Sequence, residues 1–219
     1  MKTKLEAVLF DLDGVIVDTA KYHYLAWKRL ACREGIDFDE TVNERLKGVS
    51  RMASLEIILE KSRKIYTAAE KEVLAGIKNN WYLEMIKQLT PAEILPGVID
   101  FLESLRKDHI KAAVCSASKS AALIIKKLEL TGYFDTIVSG NDVKNSKPDP
   151  EVFLVGSQRL NITPAGCLVI EDAAAGIEAA RRAGMKSLGI GNKDILAAAD
   201  AVYNDMTGFT LSDIKRLFD

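Results

Sequence analysis

After a short polar lead, the chain places four apolar residues in a row, Ala7-Val8-Leu9-Phe10, which stop abruptly at Asp11. A run that is apolar on both faces and too short for a helix is the pattern of a strand buried inside a parallel sheet, with its carboxyl end at Asp11. Four similar runs come much later: Ala112-Ala113-Val114-Cys115, Thr136-Ile137-Val138, Cys167-Leu168-Val169-Ile170 and Ser187-Leu188-Gly189-Ile190. Stretches of helical periodicity separate them, among them Ser120 to Leu128, Glu151 to Leu160 and Gly176 to Ala183, the last closed by Gly184 at the position of a helix stop. Strands alternating with helices build βαβ units, so the expected core is a doubly wound α/β fold with helices on both faces of a parallel sheet.

Residues 19–90 break this rhythm. They are rich in Leu, Ile, Lys and Glu, show no convincing strand, and contain amphipathic helical stretches such as Leu55 to Lys64. The expectation is an all-helical domain at 19–90 inserted into a core made of 1–18 and 91–219. Thr90-Pro91 and Pro96-Gly97, which disfavour a continuous helix, mark the return to the core.

Composition narrows the partner. At 219 residues, 48% of them hydrophobic, the chain can bury a core and a smaller insert. The 30 basic and 31 acidic residues are intermixed and leave a net charge of −1, so no electrostatic stripe is available for a nucleic acid or an anionic membrane. A small molecule is the expected partner. No stretch approaches the roughly 18 apolar residues of a membrane span, and no cleavable signal opens the chain, so the expected location is the cytoplasm. The three cysteines have no CxxC spacing and are expected to be buried thiols; His23 and His109 stand too far apart to suggest a zinc site.

Open α/β sheets bind ligands beyond the carboxyl ends of their strands, so the residues that follow each apolar run carry the chemistry. These are Asp11-Leu12-Asp13-Gly14, then Ser116-Ala117-Ser118-Lys119, then Lys147-Pro148-Asp149 beyond the third run, then Glu171-Asp172. Singly, each is equally an ordinary helix cap or turn. Together they supply what a hard cation and a phosphate need. Magnesium takes a few carboxylate or carbonyl oxygens and keeps waters, and Lys147 adds positive charge for a phosphoryl group in transfer. Asp11 is placed to attack phosphorus, and Asp13, two positions on and facing the same way, to exchange a proton with the leaving and incoming oxygens. Gly189-Ile190-Gly191 lacks the remainder of a dinucleotide fingerprint, and no Walker-type loop occurs, so neither nicotinamide nor ATP is implied.

The segment Asp11-Leu12-Asp13-Gly14-Val15-Ile16-Val17-Asp18-Thr19, with Ser116, Lys147-Pro148 and Glu171-Asp172 in order, resembles the four motifs of the haloacid dehalogenase superfamily. The resemblance implies Asp11 as nucleophile, Asp13 as general acid and base, and Ser116 and Lys147 as phosphate-holding groups. It also implies magnesium held by Asp11, Asp13 through its backbone carbonyl, Glu171 and Asp172.

Lys47-Gly48-Val49-Ser50-Arg51 in the insert and Ser116-Ala117-Ser118-Lys119 resemble one branch of that superfamily, which interconverts β-glucose 1-phosphate and glucose 6-phosphate through β-glucose 1,6-bisphosphate. Thr19, His23 and Lys78 also match positions of that branch, whereas Ser120 departs from the asparagine expected there. In this reading Arg51 offers a planar fork for a second phosphate, and a closing cap excludes water. The expected protein is a monomeric isomerase acting on a sugar phosphate, with magnesium and β-glucose 1,6-bisphosphate as cofactors. A phosphatase of the same fold uses the same Asp11 and Asp13, and a non-catalytic binding module is the third alternative.

Overall fold

The computed structural model describes residues 4–46 and 49–219, and the chain divides into two compact units, Met1–Asp18 with Thr90–Asp219, and Thr19–Leu89. In chain order the helices are α1 (Ala20–Arg33), α2 (Glu40–Glu44), α3 (Arg51–Leu59), α4 (Ala68–Ile86), α5 (Val98–Lys107), α6 (Ala121–Lys127), α7 (Glu151–Leu160), α8 (Ala174–Arg182) and α9 (Leu211–Lys215). The strands are β1 (Ala7–Phe10), β2 (Lys111–Cys115), β3 (Thr136–Val138), β4 (Cys167–Glu171), β5 (Lys186–Ile190) and β6 (Ala201–Tyr203).

The six strands form one sheet in the order β3-β2-β1-β4-β5-β6, and every neighbouring pair is parallel. β1 lies at the centre, with Leu9 opposite Ala113 on one side and Val169 on the other, and all four of its residues are buried. Alternate side chains serve alternate faces. Ala7 and Leu9 join Phe153 of α7 and Ala179 and Ala180 of α8 in one core, while Phe10 meets the edge of Phe101 from α5 at 6.1 Å between ring centres. Helices therefore cover both faces, which is why the central strands carry continuous apolar runs rather than an alternating pattern. Because all the strands run the same way, their carboxyl ends share one edge. The strand order reverses there between β1 and β4, the position at which open α/β sheets bind ligands.

The sheet has one strand beyond the five the apolar runs predict. β6 is three half-buried residues at the edge, where Asp200 accepts hydrogen bonds from the Ser187 backbone N–H at 2.8 Å and from Lys186 Nζ at 2.8 Å. Gly184 takes a left-handed φ of +72° just after α8, a conformation that favours glycine and ends the helix.

The helical unit packs Trp27, Leu30 and Ala31 of α1 against Leu55 and Ile58 of α3 and Leu74 and Ala75 of α4. α3 starts earlier than the Leu55–Lys64 periodicity suggests, because the Ser50 hydroxyl accepts from the Ala53 backbone N–H at 3.3 Å and caps the helix at Arg51. Beyond Leu59 the chain turns, and the Ser62 hydroxyl accepts from the Lys64 backbone N–H at 3.1 Å. α4 opens on a reciprocal capping box between Thr67 and Glu70. Cys115 and Cys167 are buried, but Cys32 is exposed: it sits on the solvent side of α1, whose inner face is Ala26, Trp27, Leu30 and Ala31. Among the described residues no helix is long and apolar enough to cross a membrane.

Candidate active site

Asp11 stands at the carboxyl end of β1, buried but for 8% of its surface. Its Oδ1 lies 2.5 Å from Lys147 Nζ, and the same ammonium lies 2.5 Å from Glu171 Oε1 at the end of β4 and 3.3 Å from the Cys115 carbonyl at the end of β2. One buried lysine thus joins the ends of the three central strands. The second oxygen of Asp11 accepts from the Asp13 backbone N–H at 2.9 Å, which folds the chain back over that carboxylate. Gly14 follows with φ +79°, and a Cβ there would collide with the Asp172 carboxylate, so Asp172 lies directly against the Asp11–Gly14 turn.

Glu171 is placed differently from its neighbour. Its Oε1 meets Lys147, its Oε2 accepts from the Ala173 backbone N–H at 2.9 Å, and a Cβ at Gly176 would overlap its carboxylate. Burial opposes the charge on Lys147, but the Asp11 and Glu171 carboxylates outweigh it and hold the ammonium above its usual range. For Glu171, burial pushes the carboxyl up while Lys147 pulls it down, and burial wins. Two carboxylates on one lysine, with Asp172 against the adjoining turn, leave an excess of acceptor oxygens and negative charge, the chemistry that suits a hard divalent cation.

The turn after β2 is held by β3 and by its own serine hydroxyls. Ser116 is buried, its N–H donates to the Val138 carbonyl at 3.0 Å, and its hydroxyl accepts from the Ser118 N–H at 3.1 Å. The Ser118 hydroxyl accepts from the Ser120 N–H at 3.2 Å; Ala117 is half-buried, and Lys119 is exposed.

In the helical unit, His23 of α1 and Lys78 of α4 come together, with Nδ1 and Nζ 2.7 Å apart. The imidazole stacks on Tyr82 at 4.0 Å, and the Lys78 ammonium lies over the rings of Trp27 and Tyr82 at 4.6 and 4.9 Å. Lys78 is therefore buried rather than a solvated face residue. Burial, then the positive charges of Lys78 and Arg51, keep His23 well below the ordinary imidazole range. Thr19, at the start of α1, is fully buried, and among the described residues its hydroxyl has no hydrogen-bond partner. Val49 and Arg51 are half-buried, and burial lowers the Arg51 guanidinium against the opposing pull of Glu72 and Tyr82. Lys47 and Gly48 lie outside the described residues. The aromatic lining of Lys78 and the Gly176 space beneath Glu171 carry no sequence motif. Only the helical spacing of Tyr82 four residues after Lys78 hinted at the former.

A parallel sheet that ends in a carboxylate pair two residues apart, with a buried lysine against the first carboxylate, defines the class: an α/β enzyme built for phosphoryl transfer through an aspartate. The family model for haloacid dehalogenase-like hydrolases matches residues 8–190, and the chain belongs to that family. It is 44% identical to the β-phosphoglucomutase of Bacillus subtilis over 209 residues, 94% of this chain and 92% of that protein. A phosphorylated carbohydrates phosphatase of Thermotoga maritima is 36% identical over 84% of each chain. The crystal structure of a β-phosphoglucomutase from Clostridium difficile superposes with a TM-score of 0.93 at 42% identity, covering 98% of this chain and 97% of that one.

Proposed function

We propose that this enzyme interconverts β-glucose 1-phosphate and glucose 6-phosphate through β-glucose 1,6-bisphosphate and an aspartyl-phosphate on Asp11. The observation that carries the reading is the likeness to β-phosphoglucomutases, which runs through both units rather than the α/β core alone. The 6-hydroxyl of β-glucose 1-phosphate takes the phosphoryl group from Asp11 and gives its proton to Asp13. The bisphosphate formed then returns its 1-phosphoryl group to Asp11, while Asp13 protonates the departing oxygen at carbon 1. Lys147, which lies against Asp11, pairs with phosphoryl oxygens as charge builds, and Ser116 holds the same group. Arg51 is assigned to the second phosphate, with Val49, Ser50, Ser118, Lys119, Thr19, His23 and Lys78 as substrate-binding and supporting residues.

The family relation implies magnesium, and the donor set fits it. Asp172 lies against the Asp11–Gly14 turn, so Asp11, Asp172 and the Asp13 carbonyl would hold the ion, with Glu171 committed to Lys147. When bound, magnesium neutralises charge on the phosphoryl oxygens. Among the described residues no group of three or more His, Cys, Asp or Glu side chains forms a ready-made cluster, and two carboxylates with a carbonyl and waters are sufficient for this ion. The enzyme is assigned to the cytoplasm as a monomer. With magnesium and a trace of the bisphosphate, β-glucose 1-phosphate should yield glucose 6-phosphate in a dehydrogenase-coupled assay. Asp11→Asn should abolish the signal, and absence of product from the unaltered protein would refute the assignment.

A phosphatase is the second reading, favoured by the 36% identity to the Thermotoga maritima phosphatase. It differs only in which acceptor, water or a sugar hydroxyl, takes the phosphoryl group from Asp11.

A further inference from the structure

The Lys147 side chain is buried, yet its backbone belongs to a segment of turns and bends, residues 139–150, running from the end of β3 to the start of α7. Such connections are ordinarily the mobile parts of a domain. This one is tied twice by carboxylates. One oxygen of Asp142 accepts from the Ser139 N–H at 2.8 Å and the Ser139 hydroxyl at 2.7 Å, and the other accepts from Arg159 of α7 at 2.5 Å. The same guanidinium donates to the Ile137 carbonyl at 2.8 Å, so it spans β3, the loop and the helix. Further on, Glu151 accepts from the N–H of Lys144 at 3.1 Å and of Asn145 at 2.7 Å, immediately before the turn that presents Lys147.

The segment also grips the phosphate-holding turn. The Gly140 N–H donates to the Ser118 carbonyl at 3.2 Å and the Asn141 side chain to the Lys119 carbonyl at 3.3 Å, and a Cβ at Gly140 would collide with the Ala117 carbonyl.

We infer that Asp142 with Arg159, and Glu151, are positioning residues that hold the 139–150 segment so that Lys147 stays against Asp11 and Glu171 while the Ser116–Lys119 turn keeps its place. Lysine reaches its partners through a flexible four-carbon stem, so the backbone that carries it decides whether the ammonium arrives. Partly exposed ion pairs add little to global stability, which leaves local placement as the contribution these ties make. The effect on rate rests on the phosphoryl-transfer reading; the effect on Lys147 does not.

The test is reductive methylation of the full chain followed by peptide mass spectrometry, on the unaltered protein and on Asp142→Ala, Glu151→Ala and Glu151→Gln. Lys147 should be protected in the unaltered protein and label about tenfold faster or more in both alanine variants, the loss expected when charge-assisted bonds are removed. Glu151→Gln keeps an acceptor oxygen and should restore protection. Lys78, buried in the other unit, should remain unlabelled throughout. In the assay, kcat should fall in the alanine variants with KM for the sugar phosphate little changed. Lys147 as protected in both alanine variants as in the unaltered protein overturns the inference, and so does Lys147 and Lys78 labelling together, which would mark general loosening. If the protein turns over no sugar phosphate, the functional reading fails while the labelling of Lys147 still decides this one.

Discussion

The Nδ1 of His23 lies 2.7 Å from the ammonium of Lys78, 55 residues along the chain, in a pocket walled by Tyr82 and Trp27. An ammonium only donates, so Nδ1 accepts and the neutral imidazole carries its proton on Nε2. Burial first and then the pair disfavour the charged imidazole, and the pair sets its orientation.

From this follows a pH dependence of stability. His23 is held below the ordinary imidazole value by burial and then by Lys78 and Arg51, so below about pH 6.5 the unfolded chain binds a proton the folded chain refuses. Its contribution to stability is intact above that pH and is lost progressively as pH falls toward the folded-state value. Between pH 6.5 and 5 the loss should reach up to about 2 kcal/mol. His23→Gln cannot take up the proton and should show a flatter profile. Urea midpoints at pH 7.5 and 5 for both proteins check this, and parallel profiles would show that His23 is not the titrating group.

Lys147→Met should lower kcat by about a hundredfold or more, since a group that neutralises developing charge is removed. It should also cost about 3–5 kcal/mol of stability near neutral pH, because Asp11 and Glu171 are left as buried charges without their counter-ion. The sign with pH is distinctive. Burial already raises Glu171, and without Lys147 only the Ala173 N–H bond opposes it, so the variant should regain stability as pH falls and lose it as pH rises through the raised value. Denaturation curves from pH 5 to 8 read this directly, and a variant as stable as the parent at pH 8 would contradict it.

The two adjacent carboxylates should separate in their metal dependence. Asp172→Asn should raise the half-saturating magnesium concentration by about tenfold or more, while Glu171→Gln should act mainly on kcat by loosening Lys147. Chelation should silence the unaltered enzyme and added magnesium restore it. Titrating activity with magnesium in both variants makes the comparison, and the opposite order would place Glu171 rather than Asp172 on the ion.

Five strands were legible because each is a short, largely apolar run, the mark of a sheet covered on both faces. β6 was not, because a three-residue, half-buried edge strand owes its place to Asp200 reaching back to Ser187, a tertiary bond with no local pattern. α3 was misplaced because the periodicity from Leu55 hid the start signal at Ser50. Asp11, Lys147, Glu171 and Asp172 could be nominated as a group because every parallel strand ends at one edge of the sheet. That Glu171 turns to the lysine while Asp172 faces the Asp11–Gly14 turn depends on the space left at Gly176 and Gly14, and spacing along the chain carries no trace of it. Lys78 could be nominated only through the family resemblance, because its aromatic pocket is built by Trp27 of another helix and Tyr82 a turn later.

The most direct test of the central claim follows β-glucose 1-phosphate by phosphorus NMR with magnesium and a trace of β-glucose 1,6-bisphosphate, recording glucose 6-phosphate and inorganic phosphate together. The account predicts that glucose 6-phosphate grows as substrate disappears, with little free phosphate. Inorganic phosphate released at the rate of substrate loss, without glucose 6-phosphate, would contradict the mutase and make the protein a phosphatase.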